Sequence, residues 1–134
     1  MPNKTPYIAR GNQRHNTLRS IEFNIDNGAG TTADDQLCNL PYDAYIIDVR
    51  AIYTEATDTA GAASANFKLG VAAGGATIVA ATALAAAKAI GATTTSTIVS
   101  DYLPANTTLW VRHTGVASTE VGKYYIQVTY LPRP

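Results

Sequence analysis

The sequence predicts an all-β fold, an antiparallel β-sandwich, with a jelly roll as its expected form. At least six segments of the 134-residue chain alternate apolar and polar residues, which is the period of a half-buried strand. Short stretches rich in Gly, Asn, Asp or Ser separate these segments, and only one segment has the composition of a helix. The length suits one domain built from two sheets of about four strands each.

Residues 1–18 are predicted to form an extended basic arm, and residues 19–134 the sandwich domain. The arm has neither a helical nor a strand period, and it contains Pro2 and Pro6. Residues 1–21 hold four of the ten basic residues and no acidic residue, a charge of +4, which leaves −4 on the rest. Such an arm favours contact with an acidic surface, including a neighbouring copy of this protein; the alternative is a solvated tail.

The strands are expected in the following order, with a loop at "NGAGTTADDQ" (27–36) after the first of them. The first strand is "RSIEFNID", in which Ile21, Phe23 and Ile25 share one face. The others are "DAYIIDVRAIYTEA" (43–56), "FKLGVAAGG" (67–75), "TTTSTIVSDY" (93–102), "TTLWVRHTGV" (107–116) and "GKYYIQVTYLP" (122–132).

The longest predicted strand is the second, and its alternation predicts one inward face. That face consists of Tyr45, Ile47, Val49, Ala51 and Tyr53. In the last two strands the inward residues are Leu109, Val111, His113, Tyr124, Ile126, Val128 and Tyr130. The outward ones are Trp110, Arg112, Thr114, Tyr125, Gln127 and Thr129, and Pro132 is expected to end the pairing.

The segment from Ala72 to Ala92 contains eleven alanines among its twenty-one residues. Within it, "ATALAAAKA" has a high helix propensity, so at most one short helix is expected here. A loop with a short strand is the alternative.

No catalytic, cofactor-binding or metal-binding residue is predicted, and the chain is expected not to be an enzyme. The two histidines and the single cysteine, His15, Cys38 and His113, lack the spacing of a metal site or a hydrolytic triad. His113 is expected at the rim of a sheet, hydrogen-bonded to a loop. The rival interpretation is an enzyme centred on His113, with Ser100 and Asp101 nearby.

Binding to nucleic acid or to a membrane is not expected. The acidic body lacks a basic patch, and the longest apolar run, "ATIVAATALAAAKAI", is too short to span a bilayer and contains Lys88. The first twenty residues contain no apolar stretch of the kind found in a secretory signal.

The abundance of tyrosine is the positive signal for function. Eight tyrosines and one tryptophan accompany a charged fraction of only 15%, and rings on the polar faces would be exposed in a monomer. Exposed aromatic residues are enriched where proteins bind proteins or sugars. The predicted partner contacts are Tyr7, Arg10, Arg14, Arg19, Trp110, Arg112 and Tyr125; a carbohydrate-binding or fibre-type module using Trp110 and Tyr125 is the alternative.

Three phrases in the chain resemble small structural proteins of tailed bacteriophages that decorate or cement the head. These are "DAYIIDVRAIYTEAT", "ANFKLGVAAGGATIVA" and "LPANTTLWVRHTGVASTEVGKYYIQVTYLP", within a resemblance that covers roughly residues 20–132. The resemblance implies a β-sandwich or jelly roll on the outer surface of the virion, made in the host cytoplasm. It also implies that the partners are the major capsid protein and further copies of the chain, as a homodimer or homotrimer, without catalytic residues or a cofactor.

Overall fold

The computed structural model describes residues 15–28, 30–58, 65–116 and 121–133. The described residues contain ten strands and no helix. The strands are β1 (Asn16–Arg19), β2 (Phe23–Asn24), β3 (Thr32–Asn39), β4 (Asp43–Glu55), β5 (Asn66–Gly70), β6 (Val79–Ala83), β7 (Thr93–Thr95), β8 (Tyr102–Leu103), β9 (Thr108–Thr114) and β10 (Lys123–Arg133).

The strands form two antiparallel sheets, so the predicted all-β sandwich is confirmed. The six-stranded sheet has the order β1-β10-β4-β7, with β2 paired to β10 and β8 paired to β4. The four-stranded sheet has the order β3-β9-β5-β6. The jelly-roll form of the sandwich stays a prediction.

The core lies between the two sheets and follows the alternation predicted for β9 and β10. Leu109, Val111 and His113 of β9 are fully buried, as are Tyr124, Ile126 and Val128 of β10. Each large apolar side chain buried in this way stabilises the fold by about 1.5–3 kcal/mol relative to an exposed position. The intervening residues, including the two predicted contacts Trp110 and Tyr125, lie on the outer faces.

The inward face of β4 differs from the prediction in its first half. Val49, Ala51 and Tyr53 are buried as expected, but the buried residues before them are Ala44 and Ile46 rather than Tyr45 and Ile47. The cause is a β-bulge, because Asp48 pairs with Thr129 and Ile46 with Tyr130, which leaves Ile47 as an extra residue. The extra residue reverses the faces of everything before it, so Tyr45 and Ile47 point outward.

The sheet begins and ends beyond the predicted limits. Strand β1 starts at Asn16 and pairs with β10, so residues 16–18 of the segment predicted as an arm belong to the sheet. At the other end, Pro132 and Arg133 still pair with β4, and the prediction that Pro132 ends the pairing is wrong. Pro132 lies beyond Tyr130, the last residue of β10 that pairs with β1, so its missing N–H removes no hydrogen bond to β1.

A strand was also missed where the sequence predicts a loop at residues 27–36. Strand β3 begins at Thr32 and pairs with β9 as the edge of the four-stranded sheet. None of its eight residues is fully buried, so its inward side chains do not produce a strong apolar alternation.

The alanine-rich segment takes the alternative of a loop and a short strand. Strand β6 pairs with β5, and Ile78, Val79 and Leu84 are buried in the core. Sheet pairing and the burial of these three side chains outweigh the helix propensity of the alanines. Alanine favours a helix over most other residues by less than about 1 kcal/mol per residue.

The predicted strand at residues 93–102 is interrupted in its middle. Within this segment, only β7 and β8 pair with β4, and residues 96–101 between them are not in the sheet. The amide of Ser96 donates to the carbonyl of Val49, and the amide of Ile46 donates to the carbonyl of Asp101, at 3.0 and 2.6 Å. Residues 96–101 lie opposite the bulge in β4, and a groove forms between the two.

Candidate partner-binding surfaces

Arg19 and Tyr125 meet on the outer face of the six-stranded sheet. Arg19 lies opposite Gln127 in the β1–β10 ladder, so its side chain reaches diagonally to Tyr125. The guanidinium Nη2 donates to the Tyr125 hydroxyl at 2.7 Å, and its Cζ lies 4.2 Å from the centre of the ring. Within the described part of the chain, no carboxylate lies within salt-bridge distance of Arg19.

Arg112 and Trp110 lie on the outer face of the four-stranded sheet. Asp34 of β3 stands directly opposite Arg112. The two side chains form a bidentate pair, with Nε to Oδ1 at 2.7 Å and Nη2 to Oδ2 at 2.8 Å. The hydrogen bonds from Arg112 hold the pKa of the Asp34 carboxyl below its usual value, so the carboxylate stays ionised and the charge of Arg112 is neutralised.

The structure therefore divides the seven predicted contact residues. Arg19 and Tyr125 form one pair on one face, while Trp110 and Arg112 lie together on the opposite face. Trp110 is half-buried and pairs with Gly70 and Gln36 across the sheet. Because Trp110 and Tyr125 are on opposite faces, they cannot form a joint stacking platform for one sugar chain. Tyr7, Arg10 and Arg14 lie outside the described residues.

Sequence reasoning missed a third surface, which we call the β8 patch and define as Tyr45, Ile47, Val99 and Tyr102. It lies at the edge of the six-stranded sheet where β8 pairs with β4. Ile47 is 41% exposed, Val99 65% and Tyr102 42%. Ile47 and Val99 border a groove of about 580 Å³, whose lining is Ile46, Ile47, Ile98, Val99, Ser100 and Asp101.

Both an acidic and a basic side chain lie beside the β8 patch, since Asp43 and Arg133 face each other in the β4–β10 ladder. The rings of Tyr45 and Tyr102 lie 5.9 Å apart, with the guanidinium of Arg133 at 5.2 Å from the centre of Tyr45. Loss of solvation and the neighbouring Asp43 carboxylate raise the pKa of Tyr102, so its hydroxyl remains a hydrogen-bond donor. Residues 44–47 are all apolar, so the sequence pattern alone does not decide which of them point outward.

His113 is buried between the sheets rather than placed at a rim. It is 0% exposed, and Phe23 stacks on it at 5.4 Å between ring centres. Its Nδ1 is 2.5 Å from the Tyr124 hydroxyl, and its Nε2 is 3.3 Å from the Asn27 side-chain oxygen. Burial lowers the pKa of His113 to about 4, so it is neutral near pH 7. Ser100 and Asp101 line the groove instead of approaching this ring.

The remaining candidates for chemistry are few. The described residues contain no group of three or more His, Cys, Asp and Glu side chains that could hold a metal ion. Cys38 is a free, half-buried thiol whose pKa is raised by burial, which disfavours the reactive thiolate. Over the same described residues, no helix has the length and apolar character needed to cross a membrane.

Comparison with known proteins gives one informative likeness. No family model matches the chain, and no curated protein matches it. Among solved structures, it is similar to a chain of the cyanophage Pam1 capsid asymmetric unit, with a TM-score of 0.60 and 21% identity. The match covers 91% of this chain and 86% of that chain. The two chains share a fold.

This likeness extends over nearly the whole sandwich rather than over a single motif. At 21% identity the likeness shows the fold alone. The function of the surface residues therefore has to be argued from their own chemistry. Those surfaces are the Arg19–Tyr125 pair, the Arg112–Asp34 pair with Trp110, and the β8 patch.

Proposed function

We propose that this chain is a structural protein of a phage virion that binds the outer surface of the capsid and cements neighbouring major capsid subunits. Its partners under this proposal are the major capsid protein and other copies of itself, in a homodimer or homotrimer. It performs no catalysis and needs no cofactor.

The observation that carries the proposal is the fold shared with a chain of a cyanophage capsid asymmetric unit over most of both chains. The sequence phrases that resemble phage decoration proteins support it independently, because they are read from the sequence and not from the structure. Fold alone is compatible with several roles in a virion. The surfaces of this chain therefore have to supply the argument for binding.

The face with Arg19 and Tyr125 fits a contact with an acidic capsid surface. Its arginine is held in place by the tyrosine and has no carboxylate partner among the described residues. Pre-ordering reduces the side-chain entropy that binding removes, and Arg and Tyr are the residue types most often found at the centre of interfaces. A carboxylate on the capsid would complete the ion pair that Arg19 lacks.

Cementing follows from adding contact area across the joint between two capsid subunits. A standard protein interface buries on the order of 1,600 Å², and separating the subunits would require exposing that area to water. When many copies bind one shell and also bind each other, modest individual affinities combine into a persistent layer. In this scheme Tyr7, Arg10 and Arg14 of the arm extend the contact toward an acidic neighbour.

The proposal is tested by mixing the purified chain with shells assembled from the major capsid protein encoded in the same genome. The chain should sediment with the shells and appear as extra density on their outer surface by cryo-electron microscopy. Bovine serum albumin in the same tube controls for trapped protein. Density elsewhere in the native particle, or no sedimentation with shells at low salt, would refute the decorating role.

A further inference from the structure

Asn27 and Gly28 form the only Asn-Gly pair in the sequence, and they lie between β2 and β3. An asparagine followed by glycine is the pair most prone to deamidation. The reason is that no side chain on the glycine obstructs the attack of its backbone nitrogen on the asparagine carboxamide. The proposed capsid contact uses neither residue, so the reactivity of the pair depends on how the fold holds it.

The backbone around this pair is hydrogen-bonded to the residues that follow β9. The Gly28 amide donates to the Val116 carbonyl at 3.0 Å, and the Val116 amide donates to the Ile25 carbonyl at 3.1 Å. The Gly115 amide donates to the Thr31 carbonyl at 2.9 Å. The nitrogen that would attack the carboxamide is therefore already a hydrogen-bond donor in the folded chain.

The side chain of Asn27 is held as well. A Cβ on Gly115 would overlap the Asn27 side-chain oxygen, so the carboxamide occupies the space that this glycine leaves free. The same oxygen lies 3.3 Å from Nε2 of His113, and Nε2 is the donor because a carboxamide oxygen only accepts. Nδ1 of the ring then accepts from the Tyr124 hydroxyl at 2.5 Å. Asn27 is thus tied to the buried ring of His113.

We propose that Asn27 is a deamidation site that the fold keeps closed, and that it reacts when residues 25–28 separate from Gly115 and Val116. Such local opening costs less free energy than global unfolding. In the open segment the Gly28 nitrogen loses its proton to base and forms a bond to Cγ of Asn27. The bond from Cγ to the side-chain nitrogen breaks, ammonia leaves, and a cyclic imide remains. Water opens either carbonyl of the imide, which gives aspartate or isoaspartate without an oxidant or a cofactor.

The aspartate product places a negative charge beside a buried ring. Burial lowers the pKa of His113 to about 4, and a carboxylate in place of the carboxamide raises that pKa because it stabilises the protonated ring. The groups that contact the ring or pair with its strand position are uncharged near pH 7; they are Tyr124, Phe23, the backbone of Asn24, Ala33 and Phe67. Deamidation therefore changes the charge that His113 carries in the core.

The isoaspartate product acts on the backbone instead, because it lengthens the chain by one carbon. The hydrogen bonds made by Ile25 and Gly28 lie on the two sides of Asn27, so the added atom shifts one of them relative to the other. This product weakens the closure, and each opening of an unmodified chain exposes the pair to a permanent change. The reaction needs no capsid, so it goes beyond the proposed function.

Peptide mapping by mass spectrometry tests the site and its protection together. The full chain is incubated in mildly alkaline buffer, once folded and once in guanidinium chloride. In denaturant, Asn27 should deamidate several-fold faster than Asn24, Asn39 and Asn106, which precede bulkier residues. In the folded chain Asn27 should react at least about tenfold more slowly than in denaturant. A rate in denaturant no higher than that of the other three, or equal rates at Asn27 in both samples, would overturn the proposal.

Hydrogen exchange at the Gly28 amide supplies a second measurement of the closure. The same N–H has to be released from the Val116 carbonyl before it exchanges with water or attacks the carboxamide. Its exchange in the folded chain should be at least about tenfold slower than in an unfolded peptide of the same sequence. Exchange at the unprotected rate would refute the protection by the fold.

Asn27→Asp isolates the effect of the aspartate product. In this variant the His113 ring should titrate about one to three pH units higher than in the parent chain, as followed by NMR. Asn106→Asp is the matched control, because it makes the same change at an exposed turn and should leave the ring unaffected. An unchanged titration of His113 in Asn27→Asp would refute the coupling between the two residues.

The isoaspartate product is obtained by refolding the chain that was deamidated in denaturant and separating the two products. The isoaspartate form should unfold at a lower denaturant concentration than the parent chain, because its added carbon lies between the hydrogen bonds of Ile25 and Gly28. Equal midpoints for the two forms would contradict the role given to this closure. No shell is present in these experiments, so their outcome is independent of the proposed function.

Discussion

The two outer faces of the sandwich each present an arginine, but the two arginines are in different electrostatic states. Arg19 on the six-stranded sheet stacks on Tyr125 and donates to its hydroxyl, and none of the described carboxylates forms an ion pair with it. Arg112 on the four-stranded sheet is bound at two points by Asp34. An arginine neutralised by its own carboxylate attracts an acidic partner only weakly, so the comparison favours the six-stranded sheet as the face for the proposed capsid contact.

The largest predicted effect is on the stability of the buried core, which supports both outer faces. His113 has a pKa of about 4 in the folded chain and about 6.5 when unfolded, so the unfolded chain binds the proton first as the pH falls. The stability associated with neutral His113 is present above pH 6.5 and is lost between there and about pH 4. The free energy of unfolding should fall by at most about 3 kcal/mol over this window.

Denaturant unfolding at pH 7 and pH 5 measures this loss, and the NMR titration of the His113 ring measures its pKa directly. Tyr124, Asn27 and Phe23 contact the ring and supply no carboxylate, and the hydrogen bond with the Asn24 backbone raises its pKa by less than burial lowers it. His113→Gln should flatten the pH dependence in this window. A ring that titrates near pH 6.5 in the folded chain contradicts the prediction.

The next effect concerns the six-stranded face alone. Arg19→Ala should weaken binding to shells about tenfold, since it removes an unneutralised charge and uncovers Tyr125. Binding by the parent chain should weaken as salt increases, and the variant should lose part of that dependence. Co-sedimentation across a salt series is the measurement. Arg112→Ala is the matched control and should change shell binding less; the opposite ranking would reverse the assignment of the faces.

The smallest effect concerns the four-stranded face. Asp34→Asn removes the ionised partner of Arg112 and should lower the free energy of unfolding by no more than about 1 kcal/mol, because the pair is exposed. Shell binding should remain within about twofold of the parent, a difference that corresponds to less than 1 kcal/mol. Thermal unfolding and co-sedimentation measure the two quantities. A large loss of binding would mean that this face also contacts the capsid.

The contrast between strands explains how much of the fold the sequence predicts. Strands β9 and β10 lie inside their sheets, and their unbroken alternation predicts both faces correctly. Strand β3 is an edge with no fully buried residue, so its side chains resemble a loop. In β4 the alternation is correct from Val49 onward and inverted before it, because a bulge depends on the partner strand.

The candidate surfaces show the same limit. Trp110 and Arg112 share a face because they are two residues apart in a strand, which the sequence alone predicts. The pairing of Arg19 with Tyr125 joins residues separated by 106 positions and depends on β1 adding to the sheet. The β8 patch depends on the bulge and on the excursion at residues 96–101, neither of which has a local signature.

The extra residue in β4 has an evolutionary consequence. Deleting Ile47 would restore an even alternation and turn Tyr45 toward the interior, while Val49, Ala51 and Tyr53 would keep their places. A single codon gained or lost at this point can therefore change which side chains are exposed at this edge of the sheet, while the fold stays the same. Relatives of this chain are expected to differ in length here before they differ in their central strands.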